Sequence, residues 1–286
     1  MQKWTPRPCT FAPFAVNAPT ISIGNRQLGG GRLLFILGPC VIESRPFLIQ
    51  AAQRIREICD GEGAPFIFKA SYDKANRSSL QSFRGIGIEE GCKLLQEIGR
   101  DIEAPVTTDV HSPAEVEAAA PYIDMLQIPA FLCRQTDLIL AAASTGRVVN
   151  VKKGQFLSPG EIRNIAEKLE KGGCKRYLFT ERGTTFGYNN LVADMRSIFW
   201  IREMNYRVMF DATHAVQHPG GAGTSSSGDR HLVPVLARAA VAAGCDGVFL
   251  ETHPNPEHAL SDSLSQLPLS GLAPLLRTLQ AIHEFV

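Results

Sequence analysis

The chain has 286 residues, of which 44% are hydrophobic, and its 29 Lys and Arg exceed its 28 Asp and Glu by only one. This balance excludes a general attraction for nucleic acid or for an anionic membrane, and no apolar run reaches the ~20 residues of a membrane-spanning helix. The seven cysteines are odd in number and contain no CxxC pair, which is typical of a reducing compartment, so we expect a cytoplasmic protein.

The N-terminal segment lacks the basic start and apolar block of a secretory signal. Residues 21–28 alternate between apolar and polar types around Gly24-Asn25, which is typical of a small hairpin. We therefore predict that residues 1–32 form an arm and a hairpin, and that residues 33–286 form one catalytic domain. In a barrel, such a hairpin would close the bottom.

Eight short apolar runs follow, and each ends on, or within a few residues of, a polar or charged group. They span residues 33–37, 66–68, 106–110, 125–128, 148–151, 177–179, 208–210 and 248–250. Helix-compatible sequence fills the intervals, with predicted helices at residues 46–58, 88–99, 113–120, 136–144, 159–170, 190–204, 232–243 and 272–285. The regular alternation predicts an α/β protein, either a (β/α)8 TIM barrel or a doubly wound open sheet.

The polar groups at the strand ends favour the barrel. An open sheet concentrates its ligand groups at one switch point, whereas a barrel collects them from every strand at one face. The groups expected at that face are Cys40, Lys69, Ser71, Asp109, Gln127, Lys152, Arg182, His214 and Glu251.

Four of the polar groups form a candidate metal site. Cys40 follows the first strand, His214 the seventh, and Glu251 and Asp262 the eighth. They can converge only if the sheet closes, and together they offer sulfur, nitrogen and oxygen ligands suited to a divalent Zn, Fe or Mn ion. Three other histidines lie close enough in sequence to replace His214, and they are His218, His253 and His258.

Cations are concentrated at the same strand ends. Residues 68–79 hold Lys69, Lys74 and Arg77, and the fifth and sixth strands are followed by Lys152, Lys153 and Arg182. Fixed cations in a partly dehydrated cleft bind phosphates and carboxylates, which predicts two anionic substrates. Asp109 and Gln127 complete the ring, either as contacts to a ligand or as braces for the lysines.

Six long motifs carry a resemblance to a known family. They are residues 38–44 (GPCVIES), 74–79 (KANRSS), 131–137 (FLCRQTD), 150–156 (NVKKGQF), 182–188 (RGTTFGY) and 211–214 (DATH). From residue 33 onward the chain resembles the 3-deoxy-D-manno-octulosonate 8-phosphate synthases. These are barrels that condense phosphoenolpyruvate with D-arabinose 5-phosphate and water, in lipopolysaccharide precursor synthesis.

The resemblance implies roles for individual residues. Cys40, in place of the Asn of metal-independent members, implies the metal-requiring form, with Cys40, His214, Glu251 and Asp262 as ligands. Phosphoenolpyruvate is expected to contact Lys69, Ser71, Lys74, Gln127, Lys152, Arg182 and His214. The sugar phosphate is expected to contact Asn76, Arg77 and Ser78, with Arg134 reaching it across a subunit boundary, which implies a homotetramer. The resemblance places Lys74 as donor to the aldehyde oxygen, and we expect Lys74, His214 and Asp109 to be the catalytic residues.

Three alternatives share parts of this pattern. The 3-deoxy-D-arabino-heptulosonate 7-phosphate synthases use erythrose 4-phosphate, and they carry a proline-bearing motif where this chain has residues 74–79. A relative that condenses an amino sugar without a 5-phosphate would leave Arg77 and Arg134 unused. A non-catalytic barrel that binds a phosphorylated metabolite would need the anion sites but no metal.

Overall fold

A computed structural model describes residues 18–76, 82–220 and 227–286. Within these ranges, eight parallel strands form one sheet that closes on itself. We number them β1 (Leu34–Gly38), β2 (Phe66–Lys69), β3 (Val106–Asp109), β4 (Met125–Ile128), β5 (Val148–Lys152), β6 (Tyr177–Glu181), β7 (Val208–Asp211) and β8 (Gly247–His253). The eight apolar runs predicted from the sequence are therefore confirmed as the barrel strands.

A helix follows every strand. They are α1 (Arg45–Glu62), α2 (Ile88–Asp101), α3 (Pro113–Ala119), α4 (Thr136–Ser144), α5 (Ile162–Lys171), α6 (Arg196–Glu203), α7 (Val233–Ala242) and α8 (Leu272–His283). The sequence of helix α1 explains both of its ends. The Ser44 hydroxyl caps the start by accepting from the Phe47 N–H, and Gly63 ends the helix in the left-handed conformation, at φ 61°. Across the described part of the chain, each helix is too short or too polar to cross a membrane.

The last strand closes the barrel. Strand β8 pairs in parallel with β1, with Glu251 opposite Gly38, and it also pairs with β7, with Phe249 opposite Asp211. An open sheet lacks this second pairing, so the barrel is confirmed and the doubly wound alternative is wrong. All carboxyl ends lie at one face, which brings residues near 40 beside residues near 251.

Two apolar layers stabilise this arrangement. The larger one lies between the strands and the helices, and the smaller one fills the barrel interior. The hairpin strands Ile21–Ile23 and Arg26–Leu28 pair antiparallel, and Ile21, Ile23 and Leu28 pack into the interior layer. The predicted hairpin therefore plugs the barrel opposite the strand ends that carry the polar groups. The predicted boundary between residues 32 and 33 stays a prediction, and residues 1–17 lie outside the described ranges.

The predicted helix over residues 190–204 is wrong in its first turns. Leu191–Val192 pairs antiparallel with Thr184–Thr185, and α6 begins only at Arg196. Asn189 at φ 54° and Gly187 at φ 75° reverse the chain between the two short strands. The predicted helix over residues 159–170 also differs, because Pro159–Glu161 is a 3-10 turn with a capping box between Ser158 and Glu161.

We expect Gly247→Ala to lower the free energy of unfolding by about 1–3 kcal/mol, the usual effect of overpacking a well-packed interior. A Cβ at Gly247 would stand inside the contact radius of the Leu34 carbonyl oxygen, at the seam where β8 meets β1. Gly61→Ala in α1 is the control, since a Cβ there meets no atom within 4 Å and alanine favours the helix. Urea denaturation measures both variants, and equal stability of the Gly247 variant and the unaltered chain would contradict the prediction.

Candidate active site

The carboxyl ends of the strands form a mouth that is lined by both acidic and basic side chains. Cys40 lies just beyond β1, Lys69 ends β2, and Glu251 lies within β8, and all three are buried. Lys69 links them, because its Nζ donates to Glu251 Oε1 at 2.7 Å and to the Cys40 carbonyl oxygen at 3.1 Å. Barrel closure therefore joins the first, second and last strands in one polar cluster.

The candidate metal ligands meet at the β8–β1 seam. One ligand atom each from Cys40, Glu251 and Asp262 lies within 4.8 Å of the other two. Cys40 Sγ is 3.2 Å from Asp262 Oδ2, and His214 Nε2 is 3.7 Å from both Glu251 Oε1 and Asp262 Oδ2. For comparison, tetrahedral ligands at about 2.0–2.3 Å from zinc stand about 3.3–3.8 Å apart.

Three further observations fit a divalent cation at this position. Glu251 Oε2 is buried and, among the described residues, accepts no hydrogen bond. Burial raises the pKa of the Cys40 thiol well above its usual range, and the carboxylates of Asp262 and Glu251 add to this effect. A cation would offset those negative charges and favour the thiolate, and the S, N and O donor set suits Zn, Fe or Mn.

The other histidines have different neighbours. His218 Nε2 lies 3.0 Å from Asp229 Oδ2, and His253 stacks on Phe47 while its Nδ1 accepts from the Asn255 N–H. His258 ends a 3-10 turn on the loop after β8. The geometry thus favours His214 over these three as the imidazole of the cluster.

His214 is oriented by a carboxylate that the sequence analysis did not single out. Asp211 ends β7, and its oxygens accept from the His214 N–H at 2.9 Å and from Nδ1 at 2.8 Å. This bond leaves Nε2 facing Glu251 and Asp262. Burial favours neutral groups here, yet the attraction between Asp211 and His214 outweighs it, so the pKa of His214 rises and that of Asp211 lies well below its usual range.

Asp211 also binds Lys152, whose Nζ lies 2.5 Å from its Oδ2 and 3.8 Å from the centre of the Phe249 ring. The carboxylate is therefore shared between a cation expected to bind substrate and a histidine expected to bind metal. In the sequence, the position of Asp211 at the end of an apolar run and three residues before His214 could have indicated that it orients His214.

Lys69 and Lys74 converge on the acidic side of the mouth. Lys74 Nζ is 3.8 Å from Glu251 Oε1, and Lys69 Nζ is 3.8 Å from Asp109 Oδ2. Burial opposes the charged form of Glu251, but Lys69, His214 and Lys74 lower its pKa to about 2. Burial also disfavours the ammonium of Lys74, but the nearby carboxylates of Glu251, Asp109 and Asp262 favour it and its pKa lies above the usual range, so it is protonated at neutral pH.

A chain of hydrogen bonds runs from Asp109 across β4 and β5 to β6. Asp109 accepts from Ser71 Oγ at 2.6 Å and from Gln127 Nε2 at 2.7 Å. Gln127 in turn accepts from Asn150 Nδ2, and Asn150 accepts from Thr180 Oγ1 at 2.8 Å. Burial opposes ionisation of Asp109, yet Lys69, Lys74 and Lys152 hold its pKa well below the usual range. Asp109 and Gln127 thus contact neighbouring polar side chains, while the catalytic role of Asp109 and the substrate contact of Gln127 stay predictions.

The remaining cations divide into two groups. Arg182 Nη2 donates to the His214 carbonyl oxygen at 2.9 Å and to Gln217 Oε1 at 3.3 Å, while its buried Nε has no partner among the described residues. Lys153, expected in the mouth, is instead fully buried against Glu181 and loop oxygens, so that prediction is wrong. Successive side chains of a strand point to opposite faces of the sheet, so Lys153 points away from the mouth because Lys152 points into it.

Only two of the four residues predicted to contact the sugar phosphate lie within the described part of the chain. Asn76 lies exposed in the turn after Lys74, and Arg134 lies exposed on the loop before α4, where its carbonyl oxygen accepts from Lys168 Nζ at 3.0 Å. Arg77 and Ser78 lie outside the described residues. Their roles stay predictions.

Comparison with known proteins places the chain. Residues 14–286 match the DAHP synthetase I family. The chain belongs to this family. Curated proteins similar to this chain include several named 2-dehydro-3-deoxyphosphooctonate aldolase.

Three of these relatives show how complete the similarity is. The protein of Trichlorobacter lovleyi is 53% identical over 267 residues, which cover 93% of this chain and 98% of the relative. That of Azoarcus sp. is 55% identical, covering 89% of this chain and 92% of the relative. That of Cyanothece sp. is 54% identical, covering 93% and 96%. The family match over residues 14–286 spans every strand of the barrel.

Proposed function

We propose that this chain is a 3-deoxy-D-manno-octulosonate 8-phosphate synthase, the enzyme that the name of its relatives denotes. It condenses phosphoenolpyruvate with D-arabinose 5-phosphate and water, and it releases inorganic phosphate. The observation that carries this proposal is identity of more than half of the residues to proteins named 2-dehydro-3-deoxyphosphooctonate aldolase over nearly their whole length. The cation-lined mouth supports it, because both substrates are anions.

In the proposed complex, the phosphate and carboxylate of phosphoenolpyruvate bind the buried cations of the mouth. Lys69, Lys152 and Arg182 supply positive charge from three strands, where partial dehydration strengthens each ion pair. Ser71, Gln127 and His214 complete this pocket, and Asp109 holds Ser71 and Gln127 in place. Asn76, Arg77 and Ser78 take the sugar phosphate.

The reaction joins C3 of phosphoenolpyruvate to the aldehyde carbon while water adds at C2. The resulting hemiketal phosphate then loses inorganic phosphate by cleavage of its carbon–oxygen bond. Negative charge develops on the former aldehyde oxygen, and Lys74, protonated at neutral pH, donates to it. Lys152 and Arg182 stabilise the departing phosphate.

A divalent cation held by Cys40, His214, Glu251 and Asp262 is part of the proposal. Its support is the convergence of three of these ligands within 4.8 Å, the buried Glu251 Oε2 without a partner among the described residues, and the mixed donor set. When bound there, it would orient the aldehyde beside Lys74. Asp211 keeps His214 Nε2 directed at the site.

A substrate panel tests the function. Loss of the vinyl absorbance of phosphoenolpyruvate is followed with arabinose 5-phosphate, with erythrose 4-phosphate and with an unphosphorylated amino sugar. We expect consumption with arabinose 5-phosphate, because this chain carries the KANRSS motif of residues 74–79. Consumption with erythrose 4-phosphate alone, or binding without turnover, would replace the proposal by one of its alternatives.

We further propose a homotetramer in the cytoplasm. Four aromatic side chains on the loops after β4, β5 and β6 are at least half exposed, and they are Phe131, Phe156, Phe186 and Tyr188. Exposed aromatic side chains on the loops of the face that also carries Arg134 suit an interface through which that arginine reaches a neighbouring mouth. The six cysteines within the described residues are free thiols, as a reducing compartment would keep them.

Light scattering should therefore give a mass four times the 31.2 kDa of one chain.

Arg134→Ala should raise the KM for arabinose 5-phosphate and leave the KM for phosphoenolpyruvate near its original value. Arg176→Ala is the control, since Arg176 is an exposed arginine on the turn before β6, at the opposite end of the barrel. A monomeric mass at catalytic concentrations would contradict this assembly.

A further inference from the structure

Two charged side chains that the proposed reaction does not use are buried just behind the anion-binding wall. Lys153 Nζ lies 3.5 Å from Glu181 Oε2, and the two side chains are 0% and 1% exposed. Lys153 also donates to the Leu157 carbonyl oxygen at 3.0 Å, and it lies 3.4 Å from Thr184 Oγ1. The pair therefore links the loop after β5 to the turn after β6.

The other oxygen of Glu181 holds the backbone of that turn. Glu181 Oε1 accepts from the Arg182 N–H at 3.0 Å and from the Gly183 N–H at 2.7 Å. Gly183 has φ 90°, so the chain changes direction here as it leaves the barrel. One carboxylate oxygen thus fixes the peptide groups on both sides of the Arg182 Cα atom.

Each member of the pair is the chain neighbour of a cation in the mouth. Lys152 precedes Lys153, and Arg182 follows Glu181, while the Lys153 N–H donates to the Thr180 carbonyl oxygen at 2.8 Å and extends the β5–β6 ladder. Because successive side chains leave a strand on opposite sides, the pair stands behind the wall that Lys152 and Arg182 face. A shift of the backbone at residues 181–183 would therefore displace the guanidinium of Arg182.

The energetics argue against stability as the main role of the pair. Glu181 Oε2 has no hydrogen-bond partner among the described residues, and the ion pair is long at 3.5 Å. A buried ion pair of this kind is often no more stabilising than apolar side chains of similar volume. The short, directional contacts are those from Glu181 Oε1 to the two backbone N–H groups.

We propose that Glu181, paired with Lys153, is a positioning residue that sets the orientation of Arg182 for binding phosphoenolpyruvate. This inference deepens the proposed function and rests on it, because Arg182 acts on the substrate and Glu181 acts only through Arg182. Lys153 neutralises the buried charge of Glu181, and the hydrogen bonds from Glu181 Oε1 to the backbone fix the position of Arg182.

Double variants separate these contributions. Lys153→Met/Glu181→Gln removes both charges but keeps a carbonyl oxygen that can accept from the two N–H groups. Lys153→Met/Glu181→Leu removes the acceptor as well, and Lys153→Met/Glu181→Met gives the same comparison if the leucine form does not fold. We expect the acceptor-free form to raise the Kd and KM for phosphoenolpyruvate at least about tenfold, and the glutamine form to stay within about threefold. Calorimetric titration gives the Kd, and kcat should change less than KM.

The matched control is a second buried pair at the opposite end of the barrel. Arg207 Nη1 lies 2.8 Å from Asp246 Oδ1, and Asp246 Oδ2 accepts from the Val208 N–H at 2.8 Å. Arg207→Met/Asp246→Leu should lower the melting temperature without changing the Kd for phosphoenolpyruvate. An unchanged Kd in the acceptor-free form, or an equal rise in the control, would overturn the inference. Binding and turnover by the unaltered chain decide the proposed function separately.

Discussion

Dialysis of the protein against a strong chelator is expected to abolish phosphate release from phosphoenolpyruvate and arabinose 5-phosphate. Added Zn²⁺, Fe²⁺ or Mn²⁺ is expected to restore it. The reason lies at the β8–β1 seam, where Cys40, Glu251 and Asp262 direct ligand atoms at one point and His214 Nε2 lies nearby. Full activity in a preparation shown by elemental analysis to be free of metal would remove the cation from the proposal.

Replacement of the thiol separates binding of the ion from catalysis. Cys40→Ala or Cys40→Asn should lower metal affinity at least about 100-fold, because loss of a direct ligand exceeds the 10–100-fold effect of an outer-shell change. Cys59→Ala is the control, since Cys59 is an equally buried thiol on α1, away from the cluster. Elemental analysis after gel filtration measures the content directly, and an unchanged ratio of metal to protein would show that the thiolate is not a ligand.

The second large effect is expected at Lys74. Lys74→Met should lower kcat by about 10²–10⁴, the usual contribution of a positioned proton donor, with a smaller change in the KM for phosphoenolpyruvate. The side chain is 11% exposed, and its Nζ lies 3.8 Å from Glu251 Oε1 beside the proposed aldehyde site. Burial opposes the charged form of Lys74, but nearby carboxylates such as that of Asp109 favour it, so its pKa lies above the usual range and the ammonium is present at neutral pH.

Lys93→Met on α2 removes the same charge from an exposed position and should leave kcat unchanged. Circular dichroism and the melting temperature show whether the Lys74 variant is folded. A folded Lys74→Met protein with kcat within about threefold of the original would assign proton donation to another group.

The strand ends could be predicted from the sequence because they combine two independent signals. A short apolar run fixes the position of a strand, and the next polar residue then has to lie at the open end of the barrel. Cys40, Lys69 and Glu251 were found in this way. Closure itself brought Cys40 to Asp262, and the pairing of Glu251 with Gly38 confirms that closure.

The direction of individual side chains was harder to predict. Lys152 and Lys153 are identical in type, and only the register of β5 decides that one enters the mouth and the other lies behind it. The role of Asp211 was not predicted, because a carboxylate at a strand end can equally bind a metal or substrate or hold a neighbouring side chain in place. Its partners, Lys152 and His214, come from residues 59 and 3 positions away.

The failed helix start at residues 190–195 has a tertiary cause. Leu191 and Val192 suit a helix or a strand, and the paired segment at Thr184–Thr185 selects the strand. A single sequence does not show that partner, whereas the Gly187 and Asn189 turn between the segments could have suggested it.

The β8–β1 seam has a consequence for biosynthesis. Cys40 and Asp262 touch across 222 positions of the chain. While the ribosome extends the polypeptide, the thiol exists long before its acidic neighbour has been translated, and such distant partners meet late in folding. Capture of an ion there would mark a finished molecule, so the amount of retained metal could serve as a count of chains that completed their maturation.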